Sequence, residues 1–172
     1  MIIVTSLRDS HAQLAAHGAK RAISILSPDT PHPDFPALAD GQHLRLTFHD
    51  VNADGGGLEG PKIRDAERLV HFITEWDRTA PLLIHCWAGI SRSTAAAYSA
   101  ACLLRADEDE DDLARELREA SPSATPNRLI VSQVDQILGR QGRMLRAVER
   151  IGRGADAFEG RAFTLPIRTT GR

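Results

Sequence analysis

The chain has 172 residues, 42% of them apolar and 26% charged, with a net charge of −2. That length supports one domain with a true hydrophobic core, and the balance excludes a disordered chain. Near-neutrality gives no whole-protein pull toward nucleic acid or anionic membrane, and no apolar run approaches the ~20 residues that span a bilayer.

Ile2 to Ser6 reads as a short strand. Ser10 is expected to N-cap a helix carrying Leu14, Ala15 and Ala16, stopped by Gly18. Arg21 to Leu26 is a second strand. Ser27 to Pro36 contains four prolines and reads as a loop, in the first instance a rigid surface connection. His43 to Phe48 alternates as a half-buried strand and runs into a polar, Gly-rich segment from His49 to Gly57. Pro61 is expected to open a helix whose Ile63, Leu69, Val70, Phe72, Ile73 and Trp76 share one side.

After Pro81, Leu82 to Cys86 reads as a buried strand, and Ser93-Thr94 leads into an Ala-rich helix up to Leu104. Asp107 to Asp112 is an acidic run that suits a helix start and is expected to be a solvated first turn. Ser121 to Pro126 breaks the chain. Asn127 to Leu138 is helical, and Gly139 and Gly142 turn it into a last helix ending at Ile151. From Gly152 the chain reads as irregular, with an apolar patch from Phe163 to Ile167 suited to docking on the body. Strands alternating with helices, then helices alone, predict an α/β fold: a central, parallel-rich twisted sheet of about four to five strands with helices on both faces. Residues 1–151 read as a single domain and 152–172 as an irregular extension docked on it.

The informative stretch is His85-Cys86-Trp87-Ala88-Gly89-Ile90-Ser91-Arg92-Ser93. A strand that turns sharply into a helix directs backbone N–H groups at one spot beside the helix N-terminus, a place suited to a phosphate dianion. Gly89 lets the main chain turn where a Cβ would intrude. Arg92 can grip two phosphate oxygens at once. Cys86 shares that positive field, which favours the thiolate, the form that attacks. A second thiol, Cys102, reads as packed core. Two cysteines argue against a disulfide framework and for a reducing, cytoplasmic setting, and the start of the chain is too short and uncharged for a secretory signal.

The pattern His85-Cys86-x-x-Gly89-x-x-Arg92-Ser93, between a strand and a helix, resembles the active-site loop of the cysteine-dependent protein tyrosine phosphatases. The compact dual-specificity-like and bacterial members are nearest in pattern. The resemblance implies hydrolysis of phosphate monoesters through a phospho-cysteine on Cys86. Trp87, Ala88, Gly89, Ile90, Ser91 and Arg92 would form the phosphate-binding loop, and Ser93 would donate to the sulfur. His85 would fix the turn from behind. The family takes its general acid from an aspartate after the strand that precedes the catalytic one, and Asp50 occupies that place, with Asp54 as its rival. The implied partners are a phosphorylated protein or small phosphomonoester, with phosphate, sulfate or vanadate able to occupy the loop. Neither cofactor nor metal is implied, and neither nucleic acid nor membrane is expected as a partner.

Asp50-x-Asn52-x-Asp54-Gly55 imitates the first half of a calcium loop, but Pro61 stands at the twelfth position where a bidentate Glu is required. No Lys or Arg besides Arg92 lies inside the loop, which disfavours a highly charged inositol headgroup, and phosphotyrosine is the expected substrate. Two other classes compete: a sulfurtransferase that forms a persulfide on Cys86, and a phosphoprotein-binding module without catalysis.

Overall fold

The structure is a computed structural model that describes residues 1–167. Five strands form one sheet in the order β3-β2-β4-β1-β5: β1 (Ile2–Ser6), β2 (Arg21–Leu26), β3 (His43–Thr47), β4 (Leu82–Cys86) and β5 (Phe163–Leu165). The first four are parallel, and β5 runs antiparallel along β1, with Val4 opposite Phe163. The sheet is therefore mixed, and the apolar patch near the end of the chain enters it as a strand. Residues 168–172 of the expected extension lie outside the described residues.

Side chains alternate across each strand. Ile2, Val4, Ile23, Ile25, Leu82, Ile84 and Cys86 face the larger core. Ile3, Ala22 and Leu83 face a smaller one with Leu14, Ala19 and Phe35. Strands β1 and β4 are buried along their whole length, as expected for parallel strands covered on both faces. Among the described residues, α1 (Ser10–His17) and the proline-rich loop cover the smaller face. The larger face carries α2 (Ile63–Thr74), α3 (Arg92–Leu104), α4 (Glu110–Ala120), α5 (Arg128–Ile137) and α6 (Arg143–Ile151).

Helix α3 is the hub. Every residue from Arg92 to Cys102 is buried, and its alanines let sheet and neighbouring helices approach from all sides. Beyond Arg92, its bulky polar side chain is Tyr98, whose hydroxyl lies 3.0 Å from the Glu110 carbonyl, to which it donates. No helix among the described residues is long and apolar enough to cross a membrane.

Several local expectations are corrected. Ser10 begins α1 instead of capping it; Asp9 is the cap residue, and the Ser10 hydroxyl donates to the Leu7 carbonyl at 2.8 Å. Helix α2 starts at Ile63, with the Asp65 carboxylate accepting from the Lys62 N–H at 2.9 Å. Ile63 itself is exposed, because it lies in the first turn before the apolar side of α2 meets the sheet. The acidic run is not simply solvated. Asp109 caps α4, but Glu110 is buried and its carboxylate pairs with Arg140 at 2.9 Å and Arg143 at 3.1 Å. Asp111 pairs with Arg150 at 2.5 Å. The acids at the start of α4 thus bind the basic α5–α6 corner of the same chain.

Because Glu110 is the shared acceptor of two guanidinium groups, Glu110→Ala is expected to cost about 2–3 kcal/mol. Urea unfolding with an unchanged slope would measure it.

Candidate active site

The connection from β1 to β2 crosses one face through α1, and that from β3 to β4 crosses the other through α2. The loops at the carboxyl end of β4 therefore part around a crevice, the usual ligand position in such sheets. Cys86 ends β4 there, and six residues later Arg92 begins α3.

The turn between them is held from outside by its carbonyls. Trp87 C=O accepts from Leu7 N–H at 3.1 Å, Ala88 C=O from Gly160 N–H at 2.8 Å, Ile90 C=O from Thr125 N–H at 2.9 Å, and Ser91 C=O from Ala95 N–H at 2.9 Å. The Thr94 hydroxyl reaches back to the Ile90 and Ser91 carbonyls as well. A trans peptide sets its N–H opposite its C=O. With those four carbonyls turned outward, the N–H groups of Ala88, Gly89, Ser91 and Arg92 turn inward. Gly89 bears this out, since its N–H donates to Cys86 Sγ at 3.3 Å. Gly89 has φ +73°, and a Cβ there would lie 2.9 Å from the Ser6 nitrogen. No side chain fits between this turn and the end of β1.

The side chains complete the enclosure. Cys86 is buried, and Ser93 Oγ lies 3.1 Å from its sulfur. Arg92 is also buried; its Nη1 donates to the Phe48 carbonyl at 2.9 Å and to Ser27 Oγ at 3.0 Å. Its Nε is buried with no hydrogen-bond acceptor among the described residues, which leaves one edge of the guanidinium for an anion. Ser27 belongs to the proline-rich loop, so that loop borders the site and is more than a surface connection.

Asp50 stands over the same turn. Its Oδ1 accepts from Ser91 Oγ at 2.7 Å and from Asn127 Nδ2 at 2.9 Å, and its Oδ2 lies 3.9 Å from Arg92 Nε. Asp54 is occupied elsewhere: its carboxylate accepts from Lys62 Nζ and from Gly60 N–H, at 2.7 Å for the latter. The Lys62 bond first, then the Gly60 bond, hold its carboxyl below the usual range. Asp54 serves as a loop anchor, and Asp50 is the carboxyl brought to the turn. Among the described residues, no three His, Cys, Asp or Glu side chains converge to hold a metal ion.

Behind the turn, His85 lies on the opposite face of β4. Its Nδ1 is 3.4 Å from the Cys86 carbonyl and its Nε2 is 2.6 Å from Ser24 Oγ. Ser24 Oγ is also 2.7 Å from His43 Nε2. With Nδ1–H donating to Cys86, His85 Nε2 accepts from the Ser24 hydroxyl, which in turn accepts from His43. Burial pulls His85 down to about 4, against an upward pull from the Cys86 carbonyl. Burial, then Arg45, pulls His43 down to about 3.

Asn127, Ser24, His43, Ser27 and the Phe48 carbonyl are site features that the sequence reading did not assign. Asn127 left a usable signal, since an Asn after Pro126 at a helix start reads as an N-cap. Its Oδ1 accepts from the Ile130 N–H at 3.0 Å, which aims the amide nitrogen at Asp50. The others depend on strand register and loop path.

No protein-family model matches the sequence, and no curated protein does. Solved structures do. Human tyrosine phosphatase-like serine/threonine/tyrosine-interacting protein matches with a TM-score of 0.63 at 20% identity, over 81% of this chain and 92% of that one. Human DUSP28 matches with a TM-score of 0.61 at 22% identity, over 81% and 92%. PTPMT1 in complex with PI(5)P matches with a TM-score of 0.59 at 10% identity, over 88% and 95%. The chain has the fold of the compact dual-specificity phosphatases.

Two outcomes follow. Both imidazoles are neutral when folded and titrate near 6.5 when unfolded, so the unfolded chain binds more protons below that pH. Stability from this pair is complete well above pH 6.5 and falls as pH drops through 6.5 toward about 3–4, by on the order of a few kcal/mol, with a matching fall in Tm. Thermal melts from pH 7.5 to 4.5 would show it, with a shallower slope in His43→Gln. Asn127→Ala, which removes both the helix cap and the Asp50 contact, is expected to cost about 1 kcal/mol of stability, read by urea unfolding.

Proposed function

We propose that the chain is a cysteine-based phosphatase that hydrolyses phosphate monoesters, phosphotyrosine in proteins foremost, through a phospho-cysteine on Cys86. The observation that carries this reading is the buried Arg92, fixed through Nη1 while its Nε has no hydrogen-bond acceptor among the described residues, beside inward N–H groups and a buried sulfur. An unpartnered buried donor is costly, and a phosphate would satisfy it.

In this reading Cys86 Sγ attacks phosphorus, the S–P bond forms and the P–O bond to the leaving group breaks. Asp50 supplies the proton to the departing oxygen. Its Oδ1 already accepts two hydrogen bonds, so the proton resides on Oδ2. The N–H groups of Ala88, Gly89, Ser91 and Arg92, with the guanidinium, bind the equatorial oxygens. Asp50, now ionised, takes a proton from the water that attacks phospho-cysteine, and sulfur leaves as a thiolate that accepts from Ser93. Residues 1–151 act as one catalytic domain, with residues 152–167 packed on it.

PTPMT1 is described in complex with PI(5)P. The loop of this chain has Trp87, Ala88, Ile90 and Ser91 and no cation besides Arg92, which favours a phosphoprotein over a polyphosphorylated lipid. A sulfurtransferase or a non-catalytic phosphoprotein binder would gain nothing from a carboxyl held over the loop by Ser91 and Asn127.

Cys86→Ser should abolish turnover of p-nitrophenyl phosphate while preserving capture of phosphopeptide that vanadate competes. Asp50→Ala should lower kcat for a phosphotyrosine peptide by ~100-fold, and less for p-nitrophenyl phosphate, whose leaving group needs little protonation. Asp54→Ala should cost at most a few-fold. The reverse order of the two aspartate effects would refute Asp50 as the acid, and persulfide on Cys86 without phosphatase activity would refute hydrolysis.

A further inference from the structure

The segment from Gly154 to Gly160 forms a strap across the outside of the candidate active site. At one end Gly154 N–H donates to Thr125 Oγ1 at 3.1 Å and Ala155 N–H to the Pro122 carbonyl at 2.8 Å. At the other, Ser6 Oγ donates to Glu159 Oε1 at 2.6 Å and Gly160 N–H to the Ala88 carbonyl at 2.8 Å. The fit is tight there: a Cβ on Gly160 would meet the Gly89 carbonyl oxygen at 2.9 Å.

Between these anchors stands Phe158, 81% exposed, on main chain tied down on both sides. Its ring meets Trp87 edge-on, with centroids 5.5 Å apart and planes at 83°. Trp87, the residue directly after the nucleophile, is itself 48% exposed. Two large aromatic side chains are thus kept in water beside the phosphate cradle by backbone that allows them little retreat.

We propose that Trp87 and Phe158 form an aromatic ledge that seats the phenyl ring of phosphotyrosine while its phosphate lies in the loop; this rests on the phosphatase reading above. Aromatic rings favour edge-to-face and offset contacts with one another, and a third ring extends the pair already present. A phosphoserine or phosphothreonine offers no ring and gains nothing from the ledge. Phe158 is therefore a specificity-determining residue supplied by the end of the chain, distant in sequence from the loop it serves.

The test compares KM for a phosphotyrosine peptide with the competitive inhibition constant of vanadate, a ringless anion of the same cradle, in the full-length chain. Phe158→Ala should raise KM about fivefold relative to the vanadate constant, and Phe158→Tyr should restore the ratio. An unchanged ratio, or parallel weakening of peptide and vanadate, would overturn the ledge, since parallel weakening marks Phe158 as a prop for the loop. Wild-type protein that turns over no phosphomonoester would overturn the phosphatase reading and the ledge together.

Discussion

The site depends on the direction of four carbonyls. Those of Trp87, Ala88, Ile90 and Ser91 are engaged by donors from the turn after β1, the strap, the turn before α5 and α3 itself. Because each peptide is planar and trans, fixing the oxygen outside fixes the next N–H inside. The cradle is thus an imprint of the packing around it. Elements distant in sequence meet at this turn because each must satisfy a buried carbonyl there.

That arrangement ties the chemistry to the larger core. Period-two alternation along β4 sends Cys86 toward α3 and His85 to the opposite face, so the sulfur and the imidazole behind it act from different sides of the sheet. The buried first three turns of α3 set Ser93 beside the sulfur. Asp50 follows β3 and is gripped by Ser91 of the loop and by Asn127, the N-cap of α5. Cys86 at the end of β4, Arg92 at the start of α3 and Asp50 after β3 are thereby brought together at one turn.

Much of this was legible in the sequence, for physical reasons. The apolar run of β4, the glycine at a crowded positive-φ turn and the alanine-rich α3 are local patterns, and each predicts its element from a handful of neighbours. Asp50 was readable as the carboxylate that follows β3. The partners of the acidic run were not readable. Acid at a helix start is satisfied equally by solvent or by arginines some thirty residues away, and only the α4–α6 packing decides. The same holds for Ser24 between two histidines, which depends on β2 lying beside both β3 and β4. Phe158 left no sequence signal at all, since an isolated aromatic in an irregular segment looks like any surface residue.

The three residues of β5 have a consequence beyond docking the tail. Strand β1 is apolar on both faces, and without β5 its outer side would offer a row of unsatisfied backbone groups to any passing chain. Such a rim is a template for intermolecular pairing. The opposite rim, β3, bears the exposed Arg45 and Thr47, and the charge discourages the same event. A small antiparallel closure at one border and a charged residue at the other are the features that disfavour edge-to-edge pairing of the sheet with another chain.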